Sequence, residues 1–205
     1  MQKKDYKKLF KDCYSVRKNS IALVDIPAMN YLIVDGEGDP NTSLAYREAI
    51  EALFSLSYAI KFKVKKGDMA IDYGVMPLES QWWTDNMKEF STERKEDWKW
   101  SAMIMQPDFV TEGLVQEALE EVAKKKSLPA LSKIRFVRRT DGVSAQILHI
   151  GPYSEEGPTV EKLHQFIKDN GYELTGKHRE IYLSDVRKAA PEKLKTIIRQ
   201  PVVKR

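Results

Sequence analysis

The residues whose types and spacing carry the most chemistry are His178-Arg179-Glu180-Ile181-Tyr182-Leu183. Read as a strand, this run alternates faces, so Ile181 and Leu183 share one side while His178, Glu180 and Tyr182 share the other. On a solvated face the glutamate needs no explanation. In an aromatic cavity its ionised form would lose water and its pKa would rise. It would then be a base or acid near neutrality, or a counter-ion for a cationic ligand. A second pairing of carboxylate and aromatic lies at 78–83, where Glu79, Gln81 and Trp83 fall on one face of a strand. All four tryptophans lie within residues 82–100, as Trp82-Trp83 and Trp98-Lys99-Trp100. Adjacent indoles split across a strand, so one of Trp82 and Trp83 faces any given cavity, whereas Trp98 and Trp100 share a side. Core filling and an aromatic ligand cavity both fit this clustering, and the cavity also accounts for the carboxylates.

Strands and helices must hold these groups. Met29 to Val34 alternates and is β-rich, and Gly36-Glu37-Gly38-Asp39-Pro40-Asn41 closes it as a turn. From Thr42 onward Ala45, Tyr46, Ala49, Ile50, Leu53 and Phe54 recur at helical spacing, with Thr42 or Asn41 as cap. The chain returns as strand from Met69 to Met76 and on to Trp83. The same order recurs in the second half. Ala145 to Ile150 reads as a strand, followed by a helix over Val160, Leu163, Phe166 and Ile167, opened by Thr159 and stopped by Asn170-Gly171. Tyr172 to Thr175 and His178 to Leu183 are its returning strands. Between the halves lie a charged insertion from Asn86 to Asp97, a strand from Trp98 to Gln106 and a helix from Val110 to Lys126. Ile134 to Val137 starts the second half's first strand. The expectation is an α+β protein of two pseudo-symmetric strand-helix-strand-strand modules, about 21–106 and 107–205, whose antiparallel sheets enclose a ligand cleft, after a basic segment at 1–20.

Composition narrows the function classes. With 205 residues, 42% of them apolar and 31% charged, the chain can build a core. No stretch reaches the roughly 20 apolar residues of a membrane span, and the start lacks a secretory core, so a cytoplasmic address and no membrane partner are expected. One cysteine and three histidines are too few for a zinc cage of standard spacing, so no metal is expected. Gly36-Glu37-Gly38 lacks the third glycine of a dinucleotide fingerprint, and no serine sits in a nucleophile elbow, so no cofactor and no acyl-enzyme are expected. The net charge of +4 comes from the ends. Residues 1–20 hold seven Lys/Arg against Asp5 and Asp12, and residues 187–205 hold seven against Glu192. The body between them is acidic, the wrong sign for holding phosphates, so direct nucleic-acid binding is not expected and a neutral or cationic aromatic ligand is. The ends read as solvated termini.

The run HIGPYSEEGPTVEKLHQFIKDNGYELTGKHREIYLSDVRKAAPEKLKTIIRQPV, His149 to Val203, resembles the C-terminal half of the GyrI-like small-molecule-binding family. Pro77-Leu78-Glu79 leading to Trp82-Trp83, Trp98-Lys99-Trp100 and MQPDFVT at 105–111 are similar to its stand-alone bacterial branch. Val186 stands where that family usually has a proline. The resemblance implies the effector-binding-domain fold, with Glu180 as the glutamate that binds a drug cation. Residues 1–20 are too short for a helix-turn-helix, which leaves a stand-alone binder or enzyme.

Some stand-alone members are implied to be cyclopropanoid cyclopropyl hydrolases, which detoxify DNA-alkylating natural products by opening their cyclopropane. For that chemistry Glu180 and Glu79 are the candidate carboxylates, either of them base or acid, and Tyr153 would hold Glu180 or water. Trp82 or Trp83, Trp98, Trp100 and Tyr182 would wall the cavity, with His149 and His178 hydrogen-bonding near it. The alternative is a non-catalytic protein that sequesters drugs or modulates gyrase. A monomer or weak dimer is expected.

Overall fold

Ala49, Ala52, Leu53, Leu56 and Ile60 form a wholly buried stripe on one helix, and Leu163 and Ile167 do the same on another. Each stripe packs on strands of its own half of the chain. In the computed structural model, which describes residues 1–85 and 94–205, the elements in chain order begin with β1 (Gln2–Lys4), α1 (Tyr6–Leu9), α2 (Lys11–Tyr14), β2 (Ile21–Ile26), β3 (Met29–Glu37) and α3 (Leu44–Lys66). Next come β4 (Ile71–Tyr73), β5 (Leu78–Trp83), β6 (Lys99–Gln106), α4 (Glu112–Lys125) and β7 (Arg135–Arg139). The chain ends with β8 (Gly142–Ile150), α5 (Gly157–Asp169), β9 (Tyr172–Leu174), β10 (His178–Tyr182) and β11 (Lys195–Lys204). Residues 86–93 of the charged insertion lie outside the described residues.

Two units result: residues 1–9 with 29–139, and 10–28 with 140–205. The first has the antiparallel order β7-β3-β6-β5, with β1 and β4 as a separate parallel pair. The second has the antiparallel order β2-β8-β11-β10, with β9 on the far end of β11. Within each unit the strand before the long helix (β3 or β8) lies between an edge strand (β7 or β2) and a later strand (β6 or β11), which lies beside its own predecessor (β5 or β10). The expected α+β class and repeated unit are thus present. The division differs from the expected one near 106/107. Arg135–Arg139 pairs with β3, and Lys63 on α3 holds Glu121 and Glu117 of α4 at 2.6 and 3.2 Å, which ties 107–139 to the first unit.

Local chemistry corrects several expected boundaries. The cap of α3 is Ser43, whose hydroxyl accepts from the Tyr46 N–H at 3.2 Å, and not Asn41 or Thr42. Helix α5 starts at Gly157, ahead of Thr159, because Pro158 suits a first turn that needs no N–H. The ends of the chain are not solvated tails. Cys13 and Tyr14 are each 4% exposed, and β11 is a central strand. The buried Arg199 guanidinium donates to the Cys13 carbonyl and, at 3.1 Å, to Gln146. Gln146 in turn donates to the Asp12 carbonyl at 2.6 Å, fixing α2 to this sheet. Among the described residues no helix is long and apolar enough to cross a membrane.

Gly36 stands opposite Trp100 in the β3–β6 register, and a Cβ there would lie 2.2 Å from Trp100 Cζ2. The indole occupies the space of a side chain. Gly36→Ala is expected to lower unfolding free energy by about 1–3 kcal/mol in urea titration, as overpacked sites do. An unchanged midpoint would mean that the indole moves aside without loss.

Candidate functional site

Facing residues of an antiparallel pair point to the same side of the sheet. Glu180 faces Ile198, Tyr182 faces Thr196, and Thr196 faces His149. Ile198 packs with Ala145, Ile147, Leu163 and Ile167 beneath α5. His178, Glu180 and Tyr182 therefore lie on the α5 side of the second unit's sheet, as the alternation predicts for these three sharing a face. A carboxylate there loses most of its water and must find donors. His178 Nε2 lies 3.2 Å from Glu180 Oε1, and the Tyr182 hydroxyl donates to Glu180 Oε2 at 2.7 Å. The His178 and Glu180 side chains are only 12% and 14% exposed. One donor on each oxygen fixes the carboxylate's orientation.

Tyr153, in a short 3-10 turn before α5, packs edge-on against Tyr182 with ring centres 5.4 Å apart. Although the residue as a whole is exposed, burial around its phenol raises the pKa. The negative charges of Glu156, Glu180 and Asp185 push it further, to about 12. At neutral pH Tyr153 is a neutral O–H donor in a negative field. Glu156 stands at the N-cap of α5, 7% exposed, where the helix dipole favours a carboxylate.

His149 holds this turn in place. Its Nε2 lies 3.2 Å from the Pro152 carbonyl and its Nδ1 3.0 Å from Thr159 Oγ1. A carbonyl only accepts, so Nε2 carries the proton and Nδ1 accepts from Thr159. Both ring nitrogens serve the 152–159 segment, which gives His149 a positioning role there. Two further polar atoms on this face have no hydrogen-bond partner among the described residues: Thr196 Oγ1, in a residue with no exposure, and His164 Nε2 on α5. Thr196, Glu156 and His164 were missed in the sequence. The only signal for Thr196 is its register opposite Tyr182, which needs the sheet to be known.

The first unit arranges its expected residues differently. Trp82, Trp98 and Trp100 are 2%, 8% and 1% exposed. Tyr46 of α3 lies between Trp82 and Trp100, with ring centres at 5.3 and 5.0 Å, and Trp98 is 5.5 Å from Trp82. The Tyr46 hydroxyl is 2.7 Å from Ser80 Oγ. Trp82 and Trp100 fasten α3 to its sheet through Tyr46, and Trp98 packs on Trp82, so these buried indoles form packing rather than an open wall. Glu79, Gln81 and Trp83 alternate to the face away from α3, where Glu79 has no exposure. The two candidate carboxylates are therefore placed differently. Glu180 faces its helix and Glu79 faces away from its own. Among the described residues no group of His, Cys, Asp or Glu is placed to hold a metal ion.

Residues 20–203 match the GyrI-like small molecule binding domain. The chain belongs to that family. Among solved structures it is similar to an uncharacterized conserved protein of Listeria innocua, 40% identical with a TM-score of 0.90, over 97% of this chain and 99% of that one. A hydrolase from Listeria innocua is also 40% identical, with a TM-score of 0.84 over 97% and 99% of the two chains. The C-terminal domain of EcmrR, 19% identical, shares the fold with a TM-score of 0.57 over 91% and 98% of the two chains. Among proteins with curated descriptions none matches. The resemblance to the GyrI-like family holds over nearly the whole chain, and this protein carries a small-molecule-binding domain.

Burial, the nearby His178 and Lys168 lower the His164 pKa below its ordinary 6.5. The unfolded chain therefore takes up this proton first as pH falls. Stability from the neutral ring is intact above pH 6.5 and is lost progressively below it, toward the folded value. His164→Leu is expected to flatten the fall in thermal midpoint between about pH 7 and 5. An unchanged slope would remove His164 as a source of acid sensitivity.

Proposed function

We propose that the Glu180 face of the second unit binds flat hydrophobic or cationic organic compounds and hydrolyses the cyclopropane ring of DNA-alkylating cyclopropanoids. The observation that carries this reading is the Glu180 carboxylate, held on the packed side of a sheet by Tyr182 and His178 beside the neutral donor Tyr153. The negative field of Glu156, Glu180 and Asp185 favours a cation or a developing positive charge, and the Tyr153 and Tyr182 rings offer faces and edges to a flat ligand. The relatives named as hydrolases support water as co-substrate.

A conjugated spirocyclopropane is an electrophile. Water attacks a ring carbon, Glu180 accepts the water's proton, and the strained carbon–carbon bond breaks. Its electron pair moves to the conjugated carbonyl oxygen, where a phenolic O–H such as that of Tyr153 donates. The same negative field also favours a second reading, a binder that sequesters aromatic cations without turnover.

Incubation of catalytic amounts of protein with a cyclopropanoid alkylator, followed by mass spectrometry for addition of one water, tests the proposal. Many turnovers are expected from the native chain, and a loss of about 10²–10⁴-fold in Glu180→Gln with the fold retained. Full turnover in Glu180→Gln would overturn the assigned base. A one-to-one complex without hydrated product would establish the binder instead.

A further inference from the structure

The outer face of α3 carries an aromatic stripe at helical spacing: Phe54, Tyr58 and Phe62, with ring centres 6.5 and 6.4 Å apart. Tyr58 and Phe62 are 47% and 46% exposed, on a helix whose opposite side already fills the core of the first unit. Two large rings held in water on one helix cost free energy that burial against a partner would recover.

The stripe is symmetric about Tyr58. Phe54 lies four residues before it and Phe62 four after. Glu51 lies seven before it, and Lys65 and Lys66 lie seven and eight after. A two-fold axis through Tyr58, perpendicular to the helix, would run a second α3 antiparallel to the first. Phe54 would then meet Phe62 of the other copy, the two Tyr58 rings would meet at the axis, and each exposed Glu51 would meet the basic end of the opposing helix. This is the self-complementarity that an isologous dimer requires. Lys65 already binds Asp72 at 2.8 Å, and among the described residues the exposed Lys66 is the one of the two with no ion-pair partner. A groove of about 610 Å³ between α3 and α4, lined by Tyr58, Phe62 and Val122, adjoins the stripe and offers room for the opposing Phe54 ring.

We propose that α3 is a homodimer surface on which two copies of this chain pack antiparallel about Tyr58. One helix stripe buries less than the roughly 800 Å² per partner of a standard interface, so the dimer dissociates on dilution. It is independent of the chemistry at Glu180.

Sedimentation equilibrium of the full chain reads this directly. The native protein is expected to pass from 23.7 kDa toward about twice that mass as concentration rises. Tyr58→Glu, at an exposed site that leaves the core intact, sets two charges against each other at the axis and should hold the protein at monomer mass. Glu51→Lys should weaken association, and Glu51→Lys with Lys66→Glu should restore it. Tyr58→Cys should give a disulfide-linked dimer on oxidation, since Cys13 is buried. A native mass that does not change with concentration, or a dimer that Tyr58→Glu leaves intact, overturns the proposal. So does a monomer that instead binds anionic lipid vesicles through this stripe.

Discussion

A carboxylate on the packed side of a sheet must bring its own donors or stay uncharged, and the second unit is arranged around that requirement at Glu180. Strand alternation commits the residue: with Ile181 wholly buried on one face, Glu180 must take the other, which is the face that α5 covers. Its neighbours two positions away then share that face, and His178 and Tyr182 are both donors. The local pattern His-x-Glu-x-Tyr on a strand therefore supplies a donor to each carboxylate oxygen. What the remainder of the unit adds is enclosure. His149 pins the segment that carries Tyr153 and Glu156, and α5 brings His164 toward His178.

The reverse face of the same sheet follows the same logic with opposite charges. Arg179 and Arg199 are paired across β10 and β11 and are almost wholly buried. Arg179 meets Asp141 at 2.9 Å, and Arg199 is answered by Gln146 and the backbone of Cys13. Removing any one partner would leave a buried charge or donor uncompensated, the costly case for such groups. Both faces of this sheet thus carry polar groups that are specified by their partners, whereas the helix side of the first unit's sheet is largely an aromatic and aliphatic core. There Tyr46, Trp82, Trp98 and Trp100 do the packing, and Gly36 yields its side-chain space to an indole.

How much of this was legible in the sequence follows from the range of the signals. The strands at 29–34 and 145–150, the helices on the stripes of Ala49 and Leu163, and the shared face of His178, Glu180 and Tyr182 all follow from periods of two and 3.6 within a few residues. Choices that depend on pairing were not legible. Ile134 to Val137 has the pattern of a strand, but nothing local says that it joins β3. Glu79 and Glu180 look alike in sequence, each a carboxylate near aromatics on a strand. A one-residue difference in strand register places a side chain on the opposite face, and these two carboxylates lie on opposite sides relative to their helices. The basic ends resemble tails by charge alone, which does not register Cys13, Tyr14 and the apolar residues of β11 that the fold buries. The two hydrogen-bond partners of His149 are set by the turn after β8, which no periodic pattern specifies.

The central claim is that ligand is received on the Glu180 face of the second unit. A crystal structure of the protein with a lipophilic aromatic cation tests it most directly. The account predicts the positive centre beside the Glu180 carboxylate, with an aromatic group of the ligand against Tyr153 and Tyr182. A ligand bound elsewhere, with the His178–Glu180–Tyr182 hydrogen bonds and the Tyr153 ring unchanged, would contradict it.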